Sequence, residues 1–246
     1  MNYLIITVAG TATRFNKDTD KETLKCLFYK GEPKYSLLSQ IFANCSLYDK
    51  YIIVGGYLFE QLKQFIENEL SEYSDKITLI YNEHYNDYGS GYSLYKGIQS
   101  ITIPGYITFV EGDLYFSESD FRPVYDSDID VITINRDPIY SNKAVALYIN
   151  TEGSPRYIYD TNHKALMIHE PFTAIFNSGQ IWKFTSFDKL LKVIDNLTND
   201  QLRGTNLEII QAYFSNVNSQ DYKVITFNRW YNCNTVADYN FVRRLM

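Results

Sequence analysis

The fold is decided by Tyr3-Leu4-Ile5-Ile6-Thr7-Val8, an apolar run that leads directly into a loop of small residues, Ala9-Gly10-Thr11-Ala12-Thr13-Arg14. Short apolar runs bounded by Gly, Asp or Asn predict β-strands, and further ones lie at 51–55, 77–81, 106–110 and 131–134. Helical patterns alternate with them at 37–42, 58–70 and 93–101. This alternation predicts an α/β fold with a mostly parallel mixed sheet flanked by helices.

The chain after about residue 140 shows a different pattern. Closely spaced runs separated by turn residues predict strands at 144–149, 156–159, 165–168 and 172–176. Predicted helices follow at 187–194 and 207–214, then a strand at 223–227 and a helix from about residue 236. We find no linker or repeat and therefore predict a single domain, 1–246, with a first half of about 1–140 and a smaller β-rich part of about 141–246.

Composition restricts the partners and the compartment. The chain has 246 residues and a net charge of -6, which argues against nucleic acid and against an anionic membrane as partners. Cys26, Cys45 and Cys233 are widely spaced and lack zinc-site spacing, so we expect reduced thiols in a cytoplasmic protein. No apolar run approaches the roughly 20 residues of a membrane span. The first residues lack the basic region and cleavage site of a signal peptide.

The loop after the first predicted strand has the residue types of a phosphate site. Small side chains let backbone N–H groups approach a phosphate, and Arg14 adds a bidentate charge. Lys25 follows as a second, more compact cation. An ordinary strand-to-loop turn is the competing interpretation of the loop taken alone.

The same loop resembles the signature of sugar-phosphate and phosphocholine-type nucleotidyltransferases, AAGxGxR followed by Pro-Lys. Ala12 stands where the family has a second Gly, and Leu24 stands where it has Pro. We place Lys25 at the lysine position and interpret Pro33-Lys34 as the start of the next helix. The resemblance implies that Arg14 and Lys25 are catalytic. It implies a nucleotide site formed by Ala9, Gly10, Thr11, Ala12 and Thr13.

Glu111-Gly112-Asp113 follows the predicted strand 106–110. In the nucleotidyltransferases that the chain resembles, a Gly-Asp pair at a strand end supplies the aspartate that binds magnesium. Asp113 would lie at the carboxyl edge of the sheet, where open α/β sheets bind ligands, and a carboxylate is a suitable Mg²⁺ donor. A simple Gly-Asp turn is the alternative. Glu111 is assigned to the nucleotide site and as a second carboxylate near the metal.

A late segment, 230–239, resembles the family stretch W-x-x-I-D-T-x-x-D, whose first Asp is the second metal ligand. Asn234 takes that place here, so we predict Asp113 and Asn234 as the Mg²⁺ ligands, the second of them uncharged. Asp238 matches the later Asp and is expected to cap the final helix. Asn234 and Thr235 are expected to share that capping role.

The segment 82–94, which we call the base segment, resembles the N-x-x-Y…SL stretch of small choline-phosphate-type cytidylyltransferases. The resemblance implies that Asn82, Gly89, Ser90 and Ser93 contact the nucleotide. Gly89-Ser90-Gly91 would offer backbone hydrogen bonds to a pyrimidine edge, and Ser93 would contact the nucleotide or, preferably, cap the helix. A dinucleotide fingerprint is excluded because no third Gly follows at the required position.

The second half is expected to bind the acceptor. Asn177-Ser178-Gly179 resembles the N-x-G strand that contacts the acceptor in the family, which implicates Asn177 and Ser178. Glu170 or Glu208 would pair with an ammonium group of the acceptor.

Together the resemblances imply a Mg²⁺-dependent cytidylyltransferase that transfers CMP from CTP to a small phosphorylated acceptor and releases pyrophosphate. L-glutamine phosphate of capsule biosynthesis is the first choice of acceptor, followed by phosphocholine or an aminoalkylphosphonate. The alternatives are a sugar-1-phosphate nucleotidyltransferase, a nucleotide-sugar glycosyltransferase and a non-catalytic nucleotide-binding regulator. A homodimer is left open.

Overall fold

The computed structural model describes residues 1–141, 145–158, 165–215 and 217–246. The strands, in chain order, are β1 (Asn2–Thr7), β2 (Lys50–Gly55), β3 (Ile77–Tyr81), β4 (Tyr106–Glu111), β5 (Leu114–Phe116), β6 (Asp130–Asn135), β7 (Ala146–Asn150), β8 (Pro155–Ile158), β9 (Phe172–Phe184), β10 (Tyr222–Phe227) and β11 (Trp230–Asn232). The helices are α1 (Leu37–Asn44), α2 (Phe59–Glu69), α3 (Ser90–Gln99), α4 (Glu118–Tyr125), α5 (Phe187–Asp195), α6 (Asn199–Arg203), α7 (Asn206–Phe214) and α8 (Val236–Val242). Short 3₁₀ helices lie at Phe15–Asp18, Pro33–Tyr35 and Ser71–Tyr73.

One mixed sheet has the strand order β10-β6-β9-β4-β1-β2-β3. The pairs β1–β2, β1–β4, β2–β3 and β10–β6 are parallel, whereas β9 is antiparallel to both β4 and β6. The first part of β9 leaves this arrangement and pairs with β7, which pairs in turn with β8. The predicted α/β class, a mixed sheet flanked by helices with a smaller β-rich part, is confirmed.

Alternating side chains of the central strands supply two apolar cores, one on each face of the sheet. Leu4 and Ile6 pack on the face covered by α1, α2 and α4, and Ile5 between them packs on the face covered by α3, α5 and α7. All three side chains are fully buried. Burying an Ile or Leu side chain stabilises a fold by about 1.5–3 kcal/mol, so the first apolar run contributes to both cores at once.

The predicted strand at 165–168 is wrong. These residues form no strand, and the side chain of Met167 is 61% exposed, so the apolar run has no core to enter. The predicted strand at 172–176 is only the beginning of β9. Gly179 and Lys183 hid its continuation, because a glycine and a charged residue interrupt the apolar pattern. Lys183 is nevertheless buried, and its Nζ donates to two backbone carbonyls at 2.5 Å.

The other strand and helix predictions correspond to observed elements with small shifts at their ends. Parts of two predicted strands, residue 144 and residue 159, lie outside the described residues. Three elements, α4, α6 and the β5–β11 pair, have no counterpart among the predictions. Within the described ranges, no helix combines the length and apolar character needed to cross a bilayer.

The junction after β4 brings the segment 111–113 next to the late segment 230–239. Gly112 donates its N–H to the Thr7 carbonyl at 3.0 Å, and a Cβ there would lie 2.2 Å from Cγ1 of Val8, so only glycine fits without rearrangement. The chain then enters β5, which pairs antiparallel with β11. One further hydrogen bond, from Cys233 N–H to the Asp113 carbonyl at 2.8 Å, extends this pairing to Asp113.

Candidate functional site

Two clefts open at the carboxyl edge of the sheet and share Lys25, Glu111 and Asp113 in their walls. The first cleft has a volume of about 760 Å³, and the second is larger. The first cleft is also lined by Thr7, Val8, Ala9, Gly10, Leu24, Cys26, Asn82, Tyr85, Tyr88, Gly89, Ser90, Ser93 and Gly112. The second is also lined by Arg14, Asp137, Pro138, Tyr140, Val145, Asn177, Gln180, Trp230, Tyr231, Asn232, Asn234, Thr235, Ala237, Asp238, Phe241 and Val242. The two clefts are therefore adjacent, with charged side chains where they meet.

Lys25 and Asp113 form an ion pair through Nζ and Oδ2. The side chain of Asp113 is only 12% exposed, and its Oδ1 is buried without a hydrogen-bond partner among the described residues. A buried carboxylate oxygen without a donor is costly, and a bound cation would satisfy it. The described residues include no group of three or more His, Cys, Asp or Glu side chains that could hold a metal. Asp113 therefore fits a cation that takes its other ligands from phosphate, amide or water oxygens.

Glu111 lies beside this pair. Burial, and after it the charge of Asp113, raise the pKa of its carboxyl to about 7. The hydrogen bond from Asn206 Nδ2, 2.6 Å from Oε1, acts in the opposite direction, as does the charge of Lys25. The raised pKa favours the neutral form of Glu111, which limits the negative charge beside Asp113.

The raised pKa of Glu111 predicts a pH-dependent stability. Unfolding restores the ordinary pKa of 4.5, so from about pH 4.5 to 7 it releases a proton and becomes easier as the pH rises. Gln keeps an acceptor for Asn206 and does not titrate. As the pH rises from 5 to 8, the wild type should lose unfolding free energy through this group, and Glu111→Gln should not. The difference in unfolding free energy, variant minus wild type, should therefore be larger at pH 8 than at pH 5 by about 1 kcal/mol or more. Urea unfolding at both pH values measures this gain, and an unchanged difference would contradict the burial of the charge.

The structure divides the first loop, 8–14, between the clefts. Ala9 and Gly10 line the first cleft, and no atom of the described residues lies within 4 Å of a Cβ built on Gly10. Arg14 lines the second cleft. Thr11, Ala12 and Thr13 are not among the described residues that line either cleft. Their predicted nucleotide contacts remain predictions.

Ala12 has a φ of +50°, in the left-handed region that favours glycine. The family's glycine at this position thus has a backbone reason. We expect Ala12→Gly to raise the unfolding free energy by about 0.5–1 kcal/mol, because strain outweighs the extra freedom of glycine in the unfolded chain. The matched control is Gly31→Ala, the opposite change at φ +90° in open space, which should lower stability in the same thermal melts. Equal stability of Ala12→Gly and the wild type would show that the loop carries no strain.

The backbone of the base segment is hydrogen-bonded to the turn between α6 and α7. The N–H groups of Gly89 and Gly91 donate to the carbonyls of Arg203 and Gly204 at 2.8 and 3.1 Å, so they are not available to a pyrimidine. A Cβ on Gly89 would lie 2.2 Å from the Gly204 carbonyl oxygen, which explains the glycine. Ser90 lines the first cleft, and its Oγ accepts from the backbone N–H of Asn206.

The expected capping role of Ser93 is wrong, because α3 already begins at Ser90 with Gly89 as its N-cap. Ser93 is buried, and its Oγ accepts from Asn82 Nδ2 at 2.8 Å. Both residues line the first cleft, so the structure brings the two predicted nucleotide contacts together at its inner wall.

In the late motif, Asn234, Thr235 and Asp238 all line the second cleft, and two of them cap α8. Thr235 and Asp238 form a capping box, which confirms the capping role predicted for both. The side chain of Asn234 takes no part in it. Instead Asn234 Oδ1 accepts a hydrogen bond from Arg14 Nη2 at 2.9 Å, which joins the first loop to the late motif.

The predicted acceptor residues are dispersed. Asn177 lines the second cleft, whereas Ser178 is fully buried and accepts the N–H of Gln180 through its Oγ. Among the described cleft residues, neither Glu170 nor Glu208 appears. Glu170 accepts from a tyrosine hydroxyl on β7 at 2.7 Å, and Glu208 lies in the first turn of α7 next to α6. The structure therefore does not place these two carboxylates at either cleft.

Several cleft residues received no role from the sequence. Tyr85 and Tyr88 line the first cleft, although the base segment that contains them was recognised. Asn232 and Gln180 line the second. Their position in that segment is a sequence signal for a place in the first cleft. By contrast, nothing in the sequence marks the φ of +53° that turns Gln180 toward the cleft.

The comparison with protein families gives one match, over residues 21–246, to the family described as "Domain of unknown function (DUF6564)". The chain belongs to this family. The matched region of this DUF6564 member begins after the first loop. It contains Lys25, the base segment, Glu111-Gly112-Asp113 and the late segment 230–239. A comparison with curated proteins found no match.

Three solved structures resemble the fold of this DUF6564 member. The inositol-1-phosphate CTP transferase from T. maritima has a TM-score of 0.71 at 15% identity, covering 100% of this chain and 94% of the other. A protein from Bacillus anthracis assigned as a glucose-1-phosphate thymidylyltransferase has a TM-score of 0.74 at 15% identity, covering 100% of this chain and 95% of the other. The CTP:phosphocholine cytidylyltransferase from Streptococcus pneumoniae has a TM-score of 0.63 at 18% identity, covering 99% and 98%. At these identities the similarity shows that the chain has the fold of nucleotidyltransferases.

Proposed function

We propose that this protein is a Mg²⁺-dependent cytidylyltransferase, which transfers CMP from CTP to a small phosphorylated acceptor and releases pyrophosphate. One observation carries the proposal: two clefts meet at Lys25 and Asp113, on a fold shared with nucleotidyltransferases. A transfer between two bound molecules requires two adjacent sites with the reacting groups at their junction.

In the proposed reaction an oxygen of the acceptor phosphate forms a bond to the α-phosphorus of CTP, and the bond from that phosphorus to the bridging oxygen of pyrophosphate breaks. The attacking phosphate is already anionic at neutral pH, so no general base is needed. Catalysis then rests on alignment and on neutralising charge. Lys25, at the junction, neutralises the α-phosphate, and Arg14, at the second cleft, binds the pyrophosphate portion where CTP extends past the junction.

The residues present fit a magnesium ion, because the buried Oδ1 of Asp113 has no donor among the described residues. Asp113 would hold the ion, and Asn234 is proposed as the uncharged second ligand. Its Oδ1 has two lone pairs, one of which accepts from Arg14. When bound, Mg²⁺ supplies Lewis-acid polarisation and charge neutralisation of phosphate oxygens.

CTP is proposed as the nucleotide, bound in the first cleft. The buried Asn82–Ser93 pair supplies polar groups at its wall, and Tyr85 and Tyr88 supply aromatic surface for a base. Two of the three similar structures, by their names, are CTP-using transferases. Their identity to this chain is low, so they support the choice only through the shared fold.

The acceptor is proposed to bind in the second cleft, with L-glutamine phosphate as first choice, followed by phosphocholine or an aminoalkylphosphonate. The side-chain amide of Asn177 lines this cleft and suits a carboxamide or another polar acceptor. We place the enzyme in the cytoplasm, in the synthesis of capsule or another surface polysaccharide. A sugar 1-phosphate is the second candidate, favoured by two similar structures whose names give inositol 1-phosphate and glucose 1-phosphate.

Pyrophosphate release tests the proposal. The protein is mixed with each of the four NTPs, Mg²⁺ and a panel of phosphorylated acceptors that includes all candidates above. We expect release only with CTP and one class of acceptor. Release with a sugar 1-phosphate would select the second candidate. Binding of nucleotide without release, on the whole panel, would contradict the enzyme and favour a regulator.

A further inference from the structure

A row of three side-chain amides connects Arg14 to the sheet. Arg14 Nη2 donates to Asn234 Oδ1 at 2.9 Å, Asn234 Nδ2 donates to Asn232 Oδ1 at 2.6 Å, and Asn232 Nδ2 donates to Gln180 Oε1 at 3.2 Å. We call Asn234, Asn232 and Gln180 the amide chain. All its donors point in one direction, away from the guanidinium. Aligned hydrogen bonds polarise one another, so the position of each member depends on the next.

The far end of the amide chain is rigid. Gln180 lies in β9, is 3% exposed, and donates its backbone N–H to Ser178 Oγ at 3.0 Å. Its φ of +53° lies in the left-handed region, which is strained for a glutamine. If the backbone alone mattered, glycine would adopt this conformation without strain. What glutamine adds is its side chain, and the Oε1 of that side chain is the last acceptor of the amide chain.

The near end is an exposed, long side chain. Arg14 is exposed and follows a loop of small residues. In the part of the chain that the structure describes, its bond to Asn234 is the one hydrogen bond of the guanidinium. A long side chain of this kind loses rotamer freedom when it binds a phosphate, and orienting it beforehand lowers that cost. The capping of α8 does not need the Asn234 side chain, because Thr235 and Asp238 perform it.

We infer that Gln180 and Asn232 are positioning residues, which hold the Arg14 guanidinium in the second cleft through Asn234. The hydrogen bonds themselves do not depend on the reaction, but their catalytic consequence rests on the proposed function. The inference assigns a role to two residues that touch no proposed reacting atom. It also gives Asn234 a second task beside that of a metal ligand.

The first test measures Arg14 itself by ¹⁵N relaxation of its Nε–Hε group, assigned by its loss in Arg14→Lys. Gln180→Asn keeps an amide and suits the left-handed backbone, but it is one methylene too short to reach Asn232. We expect the order of the Arg14 group to fall in Gln180→Asn and in Asn232→Ala. The matched control is Gln211→Ala, which loses partly buried amide hydrogen bonds to Tyr157 and Pro155 away from the clefts. Unchanged order in both test variants would overturn the inference.

The second test is a double-mutant cycle on kcat/KM for CTP. Gln180→Asn should lower it about three- to tenfold in the wild type and should have no further effect in Arg14→Ala. Equal effects in both backgrounds would overturn the inference, because a merely structural loss does not depend on Arg14. If the wild type releases no pyrophosphate with any NTP, the proposed function fails, and the relaxation measurement still decides the amide chain.

Discussion

Asp113→Asn is expected to reduce CTP-dependent pyrophosphate release by about a thousandfold or more. The substitution keeps the shape of the side chain and removes the charge that pairs with Lys25. It also replaces the buried carboxylate oxygen that has no donor among the described residues, where we place the cation. The measurement is single-turnover release at saturating Mg²⁺, together with a thermal melt that checks the fold.

The control for this loss is Asp126→Asn, which removes an exposed carboxylate that pairs with Arg122 at the end of α4. It should retain wild-type activity, since surface pairs contribute at most about 1 kcal/mol and this one lies away from both clefts. Near-normal turnover of Asp113→Asn at saturating Mg²⁺ would refute the metal assignment.

Lys25→Ala is expected to lower kcat about a hundredfold, whereas Lys34→Ala should stay within about twofold of the wild type. Lys25 lines both clefts and pairs with the buried side chain of Asp113. Lys34 is the lysine of the more obvious Pro-Lys pair, but its side chain is 60% exposed and pairs with Glu32 at 2.9 Å on the surface. Steady-state kinetics of the two variants, side by side, measure the ranking.

Each lysine variant is the control for the other. Both remove one positive charge, so a general electrostatic effect on an anionic substrate would appear in both. A large loss in Lys34→Ala with little change in Lys25→Ala would show that the wrong lysine was aligned with the family. Comparable losses in both would point to long-range attraction of CTP rather than to a contact.

The central sheet could be predicted because its strands are continuous apolar runs. Residues 3–6 of β1 face the two cores in alternation, so each of these four positions carries an apolar side chain. Lys25 and Asp113 could be predicted to meet because the motifs that contain them occur in the order of a known family. The ion pair between them is consistent with that expectation.

Other features depend on contacts that a linear pattern does not contain. The role of Gln180 follows from a positive φ and from a shift in register between β6 and β9, and neither has a signature in the sequence. Glu170 seemed suitable for an acceptor because of its charge, but β7 holds its carboxylate through Tyr148. The N–H groups of Gly89 and Gly91 were assigned to a base because the α6–α7 turn that occupies them is distant in sequence.

The two ends of β9 are under different constraints. Its last eight residues are buried between β4 and β6, while its first five, which pair with β7, are half-buried or exposed. Substitutions in the outer end cost little folding free energy, whereas those in the inner end disturb both cores. Descendants of this sequence could therefore vary the outer end and its partner strands at little cost, and keep the inner end, whose Asn177 and Gln180 line the second cleft. Divergence within the family is expected to concentrate in the outer end.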